Sequence, residues 1–333
     1  MKHIFIINPA AGNKQEIASL ENNIRTACTN KQVDYTIYKT KGKGDATSYV
    51  ASLAESKEKM RIYAVGGDGT LNEVISGAPL APHISYGLIP HGTGNDFHRN
   101  FTNGDYFFDI ERQIEGETHR IDVFRCNDTY GINMVNIGFD CEVVRETGRL
   151  QAKHKIPKKM AYIAGLVRVF FRKIGTNFKL TLENGESFDY DLTLGLIANG
   201  CFCGGGFKSA PIASLSDGLL DVCIIKKVSH FRFLTAVSAY QKGEHLNPKH
   251  HYDFIDYRQT PSVTIEFSSP HRYCIDGQIS STQRLTIEVC HQALNFVFPS
   301  GTSTINEKIG NEGVASLCQK QSKQASTFGV RSS

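Results

Sequence analysis

No run of about 18 apolar residues occurs in this 333-residue chain, so no segment is expected to cross a bilayer as a helix. The apolar run at His3–Ile7 is too short for a secretory leader and no cleavage site follows it, so it reads as a first strand and the expected location is cytoplasmic. Nine cysteines are scattered without metal-finger spacing. Cys201 and Cys203 form only a C-x-C, so zinc is not expected and the thiols read as small buried groups in a reducing compartment. The formal charge of +4 lacks a concentrated basic face, which excludes a nucleic-acid binder as the first reading. No internal repeat is visible. What is present is an ordinary apolar share of 40% over a length that suits two domains.

Residues 1–122 alternate short apolar strands, at 4–7, 33–39, 62–65 and 86–89, with helical spacing over 15–31 and 44–57. That alternation predicts an α/β, Rossmann-like domain with a parallel sheet. Loops at the carboxyl ends of such strands form the ligand crevice. From residue 123 the pattern changes to strands at 124–126, 132–137, 178–182, 188–198, 220–226, 262–267, 284–289 and 294–298. Several alternate apolar and polar residues, as in Val263-Thr264-Ile265-Glu266-Phe267, which predicts an antiparallel, β-sandwich-like domain over 123–298. Helices over 159–173 and 231–242 interrupt it, and 299–333 reads as a polar tail, docked on the first domain or disordered.

Two glycine loops carry the chemical signal: Gly66-Gly67-Asp68-Gly69-Thr70-Leu71-Asn72-Glu73 and Gly92-Thr93-Gly94-Asn95-Asp96. Glycines let a backbone approach a ligand closely, and successive N–H groups at a helix start make an anion site. Asp68 cannot itself hold a phosphate, because like charges repel; it suits Mg²⁺ or the orientation of an attacking group. The first loop is neither a dinucleotide fingerprint nor a P-loop. Two such loops on neighbouring strands point to a nucleoside triphosphate and its acceptor, with the active site in the cleft between the domains.

Together these loops resemble the diacylglycerol kinase catalytic family, in particular the soluble bacterial lipid kinases, with sphingosine kinases as more distant relatives. Further along, Lys159-Met160-Ala161-Tyr162-Ile163, Ile197-Ala198-Asn199-Gly200, Gly204-Gly205-Gly206 and Asp217-Gly218-Leu219-Leu220-Asp221 follow the same pattern, so the resemblance spans residues 3–298. It implies ATP- and Mg²⁺-dependent phosphorylation of a lipid hydroxyl, such as diacylglycerol to phosphatidic acid. Two rivals stay open. An NAD kinase-like enzyme shares Gly-Gly-Asp-Gly-Thr but not the second loop. A non-catalytic, lipid-binding regulatory protein on the same scaffold is hinted at by Gln278, where the family has Glu.

The resemblance assigns roles residue by residue. Asn8, Pro9 and Gly12 in the first loop, Thr40, and Gly66, Gly67, Gly69, Thr70, Gly92, Thr93 and Gly94 would hold ATP. Asp45 suits either the nucleotide side or a helix N-cap. Asn95 and Asp96 either touch ligand or orient the loops, and Asn72 and Glu73 carry no assigned role. Asp68 would reach a catalytic Mg²⁺, directly or through water. Asp276 matches the family's base for the acceptor hydroxyl, although Asp276-Gly277 is also what a hairpin turn requires. Asp217, with carbonyls of Ser214 and Leu219, would hold a structural Mg²⁺, the alternative being a solvated turn. The basic stretch Lys153, Lys155, Lys158, Lys159, Arg168, Arg172 and Lys173 flanks an apolar helix that either touches a membrane or belongs to the core.

Overall fold

The computed structural model describes residues 1–11, 14–154, 158–170, 175–250 and 252–306. The first half runs β1 (Lys2–Ile7), α1 (Lys14–Asn30), β2 (Tyr35–Lys39), α2 (Asp45–Ala54), β3 (Met60–Gly66), α3 (Asp68–Ser76), β4 (Ile84–Pro90) and α4 (Ile110–Glu115). The four strands are parallel, in the order β4-β3-β1-β2. Their side chains alternate between two buried faces, as the two-residue period of a strand requires. Phe5, Ile7, Tyr63, Val65 and Ile89 pack on Ile17 and Ile24 of α1 and Ile110 and Ile114 of α4. Ile4, Ile6, Ile62, Ala64 and Leu88 pack on Val50 of α2 and Leu71 and Val74 of α3. With both faces covered by helices, the open ground is the carboxyl edge, where every predicted nucleotide loop emerges.

The second half comprises β5 (Glu117–Cys126), β6 (Thr129–Gly131), β7 (Met134–Gly138), α5 (Phe139–His154), α6 (Lys158–Phe170), β8 (Thr176–Leu182), β9 (Ser187–Ala198), β10 (Leu220–Lys226), α7 (His230–Lys242), β11 (Ile255–Thr260), β12 (Ser262–Ile275) and β13 (Gln278–Phe298). Strands β7 and β8 take successive places between β9 and β12. Inward residues of β5, β7, β8, β9, β10, β12 and β13 share one apolar cluster, including Phe124, Ile137, Leu180, Leu192, Val222, Ile265 and Leu285. Strand β13 pairs with β12 over its start and with β5 over its end, then meets β4 in a parallel pairing of Phe296 with Tyr86. One hydrogen-bonded sheet of 13 strands therefore runs through both halves.

The structure differs from the sequence expectation at several points. The boundary at 122/123 falls inside β5, because this strand bridges the halves. The strands expected at 284–289 and 294–298 are one: an irregularity between Cys290 and Leu294, with Gln292 at φ 46°, absorbs the break. Helix α5 and strand β11 were not expected. Of the tail, residues 299–306 dock beside the second glycine loop, where Thr102 N–H donates to Ser303 O at 2.8 Å and Ile305 N–H to Asn100 O at 2.9 Å. Residues 307–333 lie outside the described residues, as do 171–173 of the predicted second-half helix. Among the described residues no helix is long and apolar enough to cross a membrane.

Candidate active site

At the carboxyl edge of β3 and β4 the two glycine loops touch backbone to backbone. A Cβ on Gly92 would lie 2.5 Å from Gly67 Cα and 2.8 Å from Asn95 Oδ1, so neither loop tolerates a side chain there. The contact is fixed by His91 N–H donating to Gly66 O at 2.8 Å. Asn95, in the left-handed region at φ 49°, folds its side chain onto its own loop, accepting from Gly92 N–H at 2.9 Å and donating to Gly92 O at 3.0 Å. Asn8 completes the edge, its Nδ2 donating to Thr70 Oγ1 at 3.0 Å. Thr40 joins by its backbone, N–H to Ile7 O at 2.9 Å. Thr93 is exposed, and Gly12 lies outside the described residues.

Asp68 begins α3, and its carboxylate reaches across to the second loop. It accepts from Asp96 N–H at 2.9 and 3.0 Å and from Phe97 N–H at 3.0 Å. Those amides open a short 3-10 turn at Phe97–Asn100, so Asp68 acts as its cap and ties the loops together. Asp68 is half-buried and engaged. Asp96 stands beside it, buried, accepting from Gly205 N–H at 3.0 Å, while its Oδ1 has no hydrogen-bond partner. Burial, and then the Asp68 charge, push its carboxyl up to about 6. Gly205 belongs to the run Gly204–Gly206, all three at positive φ, so the second half supplies a third glycine loop against the first two.

Asp276 and Gly277, at φ 45° and 90°, form the two-residue hairpin between β12 and β13, so the turn reading holds for the backbone. The side chain does more. It turns inward, and its oxygens accept from Ile132 N–H at 2.8 Å, Asn133 N–H at 3.1 Å, Met134 N–H at 2.8 Å and Asn72 Nδ2 at 3.0 Å. Four donors occupy the roughly four lone-pair positions of a carboxylate, so the side chain is fully engaged in this structure. Burial nonetheless raises the carboxyl to about 6, against those four stabilising bonds.

Asn72 is the residue that sequence reasoning left without a role. Buried on α3, it donates to both Asp276 and Tyr130 O and accepts from Gln278 Nε2 at 3.0 Å. Further buried asparagines continue the seam. Asn100 Oδ1 accepts from Cys201 N–H at 2.7 Å, Asn133 Nδ2 donates to Phe202 O at 2.9 Å, and Asn199 Nδ2 donates to Asp122 O and Ile132 O. Glu73 also has a structural place, its carboxylate accepting from Gly44 N–H at 3.3 Å. Asp45 is not the N-cap of α2; Gly44 is, and the Asp45 carboxylate accepts from Tyr38 OH at 2.9 Å and Lys41 N–H at 2.8 Å.

In the predicted metal loop, exposed Asp217 accepts through Oδ1 from Leu219 N–H at 3.1 Å, and desolvation by the surrounding loop, with the Asp122 charge nearby, raises its carboxyl. Asp122, fully buried, braces the loop through Gly218 N–H at 2.7 Å and lies 2.9 Å from His291 Nδ1. Asp221 points elsewhere, to Tyr257 OH at 2.6 Å and Gln259 at 3.1 Å, and burial raises it to about 8. Among the described residues no three His, Cys, Asp or Glu side chains gather as a ligand set, so a cation here would rely on Asp217 and carbonyls. A separate polar hollow of about 800 Å³ on β9–β11 is lined by acids and cations, several of which pair with each other, such as Asp191 with Lys227 at 2.8 Å.

Comparison with known proteins gives a consistent result. A model of the diacylglycerol kinase catalytic domain matches residues 2–126, and one of the YegS C-terminal NAD kinase beta sandwich-like domain matches residues 133–298. The diacylglycerol kinase of Bacillus subtilis (strain 168) is 29% identical over 287 residues, covering 82% of this chain and 88% of that protein. A Shewanella frigidimarina protein named "Probable lipid kinase YegS-like" is 28% identical over 259 residues, covering 76% and 81%. The crystal structure of a diacylglycerol kinase from Bacillus anthracis superposes with a TM-score of 0.63 at 22% identity, over 89% of this chain and 96% of that one; this likeness is one of fold.

Proposed function

The chain belongs to the diacylglycerol kinase catalytic family, with a YegS-type second domain, and is a lipid kinase; from that premise we propose that it transfers the γ-phosphoryl group of ATP, with Mg²⁺, to the hydroxyl of a lipid alcohol, diacylglycerol first among them. The observation that best supports this is the backbone contact of Gly67 with Gly92, tied by Asp68, at the open edge of a parallel sheet. Phosphoryl transfer needs positioning and charge neutralisation more than covalent help. The start of α3 offers N–H groups to phosphate oxygens. The third glycine loop would close the acceptor side. The work would be done in the cytoplasm, at the surface of a membrane.

Mg²⁺, when bound, neutralises phosphate charge. Asp68 is its proposed protein contact beside the nucleotide, directly or through water. Asp217, with the Ser214 and Leu219 carbonyls, is the proposed structural site; an exposed acid near the buried Asp122, its proton affinity raised, is one that a hard cation can reach and relieve. Two acids compete as acceptor of the hydroxyl proton. The family resemblance favours Asp276, which would have to exchange the Asn72 donor for substrate. The Oδ1 that makes no hydrogen bond, with only the Arg99 guanidinium 3.8 Å away, favours Asp96.

A single-turnover experiment with labelled ATP tests the reading against a panel of diacylglycerol, sphingoid base, other lipid alcohols and NAD. Label in a lipid is expected. Label in NAD alone would make the chain an NAD kinase. Label nowhere, with lipid still bound, would leave a regulatory protein.

A further inference from the structure

Among the described residues, five of the seven helices carry Asp or Glu; α6 and α7 carry none. Helix α6 contributes Arg168, and α7 contributes Arg232 and Lys242. Both bury one side in the same apolar cluster, through Val169 of α6 and Ala236 and Tyr240 of α7. The rings of Phe139, on α5, and Phe233 lie 5.8 Å apart beneath them. The outward sides are mixed, with large apolar groups set among polar and cationic ones such as Arg168, Arg232 and Lys242. Phe231 is 85% and Leu234 50% exposed, one turn apart on α7, and Met160 (60%) and Val167 (50%) stand out on α6. Of the seven large apolar side chains left exposed among the described residues, four lie on these two helices.

Phe231 and Leu234 are neighbours on one helix face, and contiguous exposed apolar groups mark an interaction surface. Charge narrows the partner. Arg168 and Arg232 each neighbour an acid from another element, Glu146 and Asp253. Exposed Lys153 and Lys242 have no ion pair among the described residues, and neither helix offers a carboxylate to repel an anion. Apolar teeth among cations suit an anionic lipid surface.

We propose that the outward faces of α6 and α7 dock the protein on an anionic bilayer, with Phe231 and Leu234 entering the acyl boundary. This rests on the lipid-kinase reading and specifies where the substrate's membrane is met.

The test uses the full chain and co-sedimentation with vesicles of phosphatidylcholine, with and without phosphatidylglycerol. The parent should bind the anionic vesicles and largely ignore the neutral ones. The double variant Phe231→Ser, Leu234→Ser should lose binding by about tenfold or more. Its melting temperature should not fall, and its turnover on a short-chain, water-soluble diacylglycerol should equal the parent's. Equal vesicle binding by variant and parent, or no binding by the parent, would overturn the docking face. Self-association of the parent that the double variant abolishes, without vesicle binding, would give the face to a second copy and also overturn it. Failure of the parent to phosphorylate the soluble lipid would strike the lipid-kinase reading instead, leaving the sedimentation result to stand or fall by itself.

Discussion

On the side of the site supplied by β3 and β4, backbone meets backbone; on the side supplied by β12 and β13, side chains meet across long stretches of chain. Gly67 and Gly92 approach because neither has a Cβ. Asp276 is held by three amides of 132–134 and by Asn72, which in turn is oriented by Gln278. The two constructions fail in opposite ways. The first is harmed by added atoms, the second by a missing donor, since a buried acceptor left unmade costs about 1–3 kcal/mol.

The sharpest test sets one acid from each side against the other. If Asp276 is the proton acceptor, Asp276→Asn should lower turnover by about 10²–10⁴-fold while ATP still binds, and Asp96→Asn should fall less. The reverse ranking would move the chemistry to the second glycine loop. Activity should rise with pH through about 6 in either case, because the acceptor works as a carboxylate. Stability should run the other way. A carboxyl raised by folding contributes fully below its unfolded value near 4 and loses that contribution as pH rises to about 6. Melting curves of Asp276→Asn from pH 4 to 7 should therefore fall less steeply than the parent's.

Next in size, Gly92→Ala should cut turnover by about 100-fold, by displacing the loops, and destabilise the fold by about 1–3 kcal/mol. An alanine variant with parental activity and melting temperature would show that the backbone contact is not needed. Asp68→Asn should also cost about 100-fold in turnover. It should cost only about 1 kcal/mol in stability, because the amide oxygen still accepts one of the loop N–H bonds. An active Asp68→Asn enzyme would remove Asp68 from the chemistry.

Asp217→Ala carries the comparison to the metal loop. In the parent, Mg²⁺ at about 100 times its dissociation constant should stabilise by about 2.7 kcal/mol, and the variant should lose that response. Equal Mg²⁺ dependence of the two melting temperatures would exclude the loop. The smallest effect is expected at Gln278→Glu. The new carboxylate cannot donate to Asn72 Oδ1, so the Asn72 amide loses its orienting partner and the pH optimum of turnover should shift, with activity changing only several-fold. No shift would mean that Gln278 only shapes the turn.

The same contrast explains what was legible. Backbone construction leaves a mark in sequence, because only glycine fits, and so both loops and the parallel strands above them could be read directly. Side-chain construction leaves little: Asn72, Asn100, Asn133 and Asn199 look like any polar residues until the fold brings them to one seam. Asp68 was found but its cap on the second loop was not, since its partners are amides 28 and 29 positions away. Helix α5 hid because its run Phe139–His154 mixes charges, threonine and glycine around a narrow apolar stripe. Strand β13 was read as two because a local irregularity resembles a turn when its partner β5 is unknown.

The return of β13 to β4 also sets the order in which the protein can become an enzyme. Asn72 and Asp276 are 204 positions apart, and the outer edge of β4 pairs with β13 at Tyr86 and Phe296, beside the Asn295 side chain that donates to Ile84 O. A chain emerging from the ribosome displays both glycine loops once residue 96 is clear, yet Asp276 and the hairpin that carries it follow about 180 residues later. Contacts of such long sequence separation form late and slowly. A nascent or truncated chain ending before Asp276 should therefore hold a nucleotide edge with nothing to phosphorylate, and a β4 edge open to whatever strand arrives first.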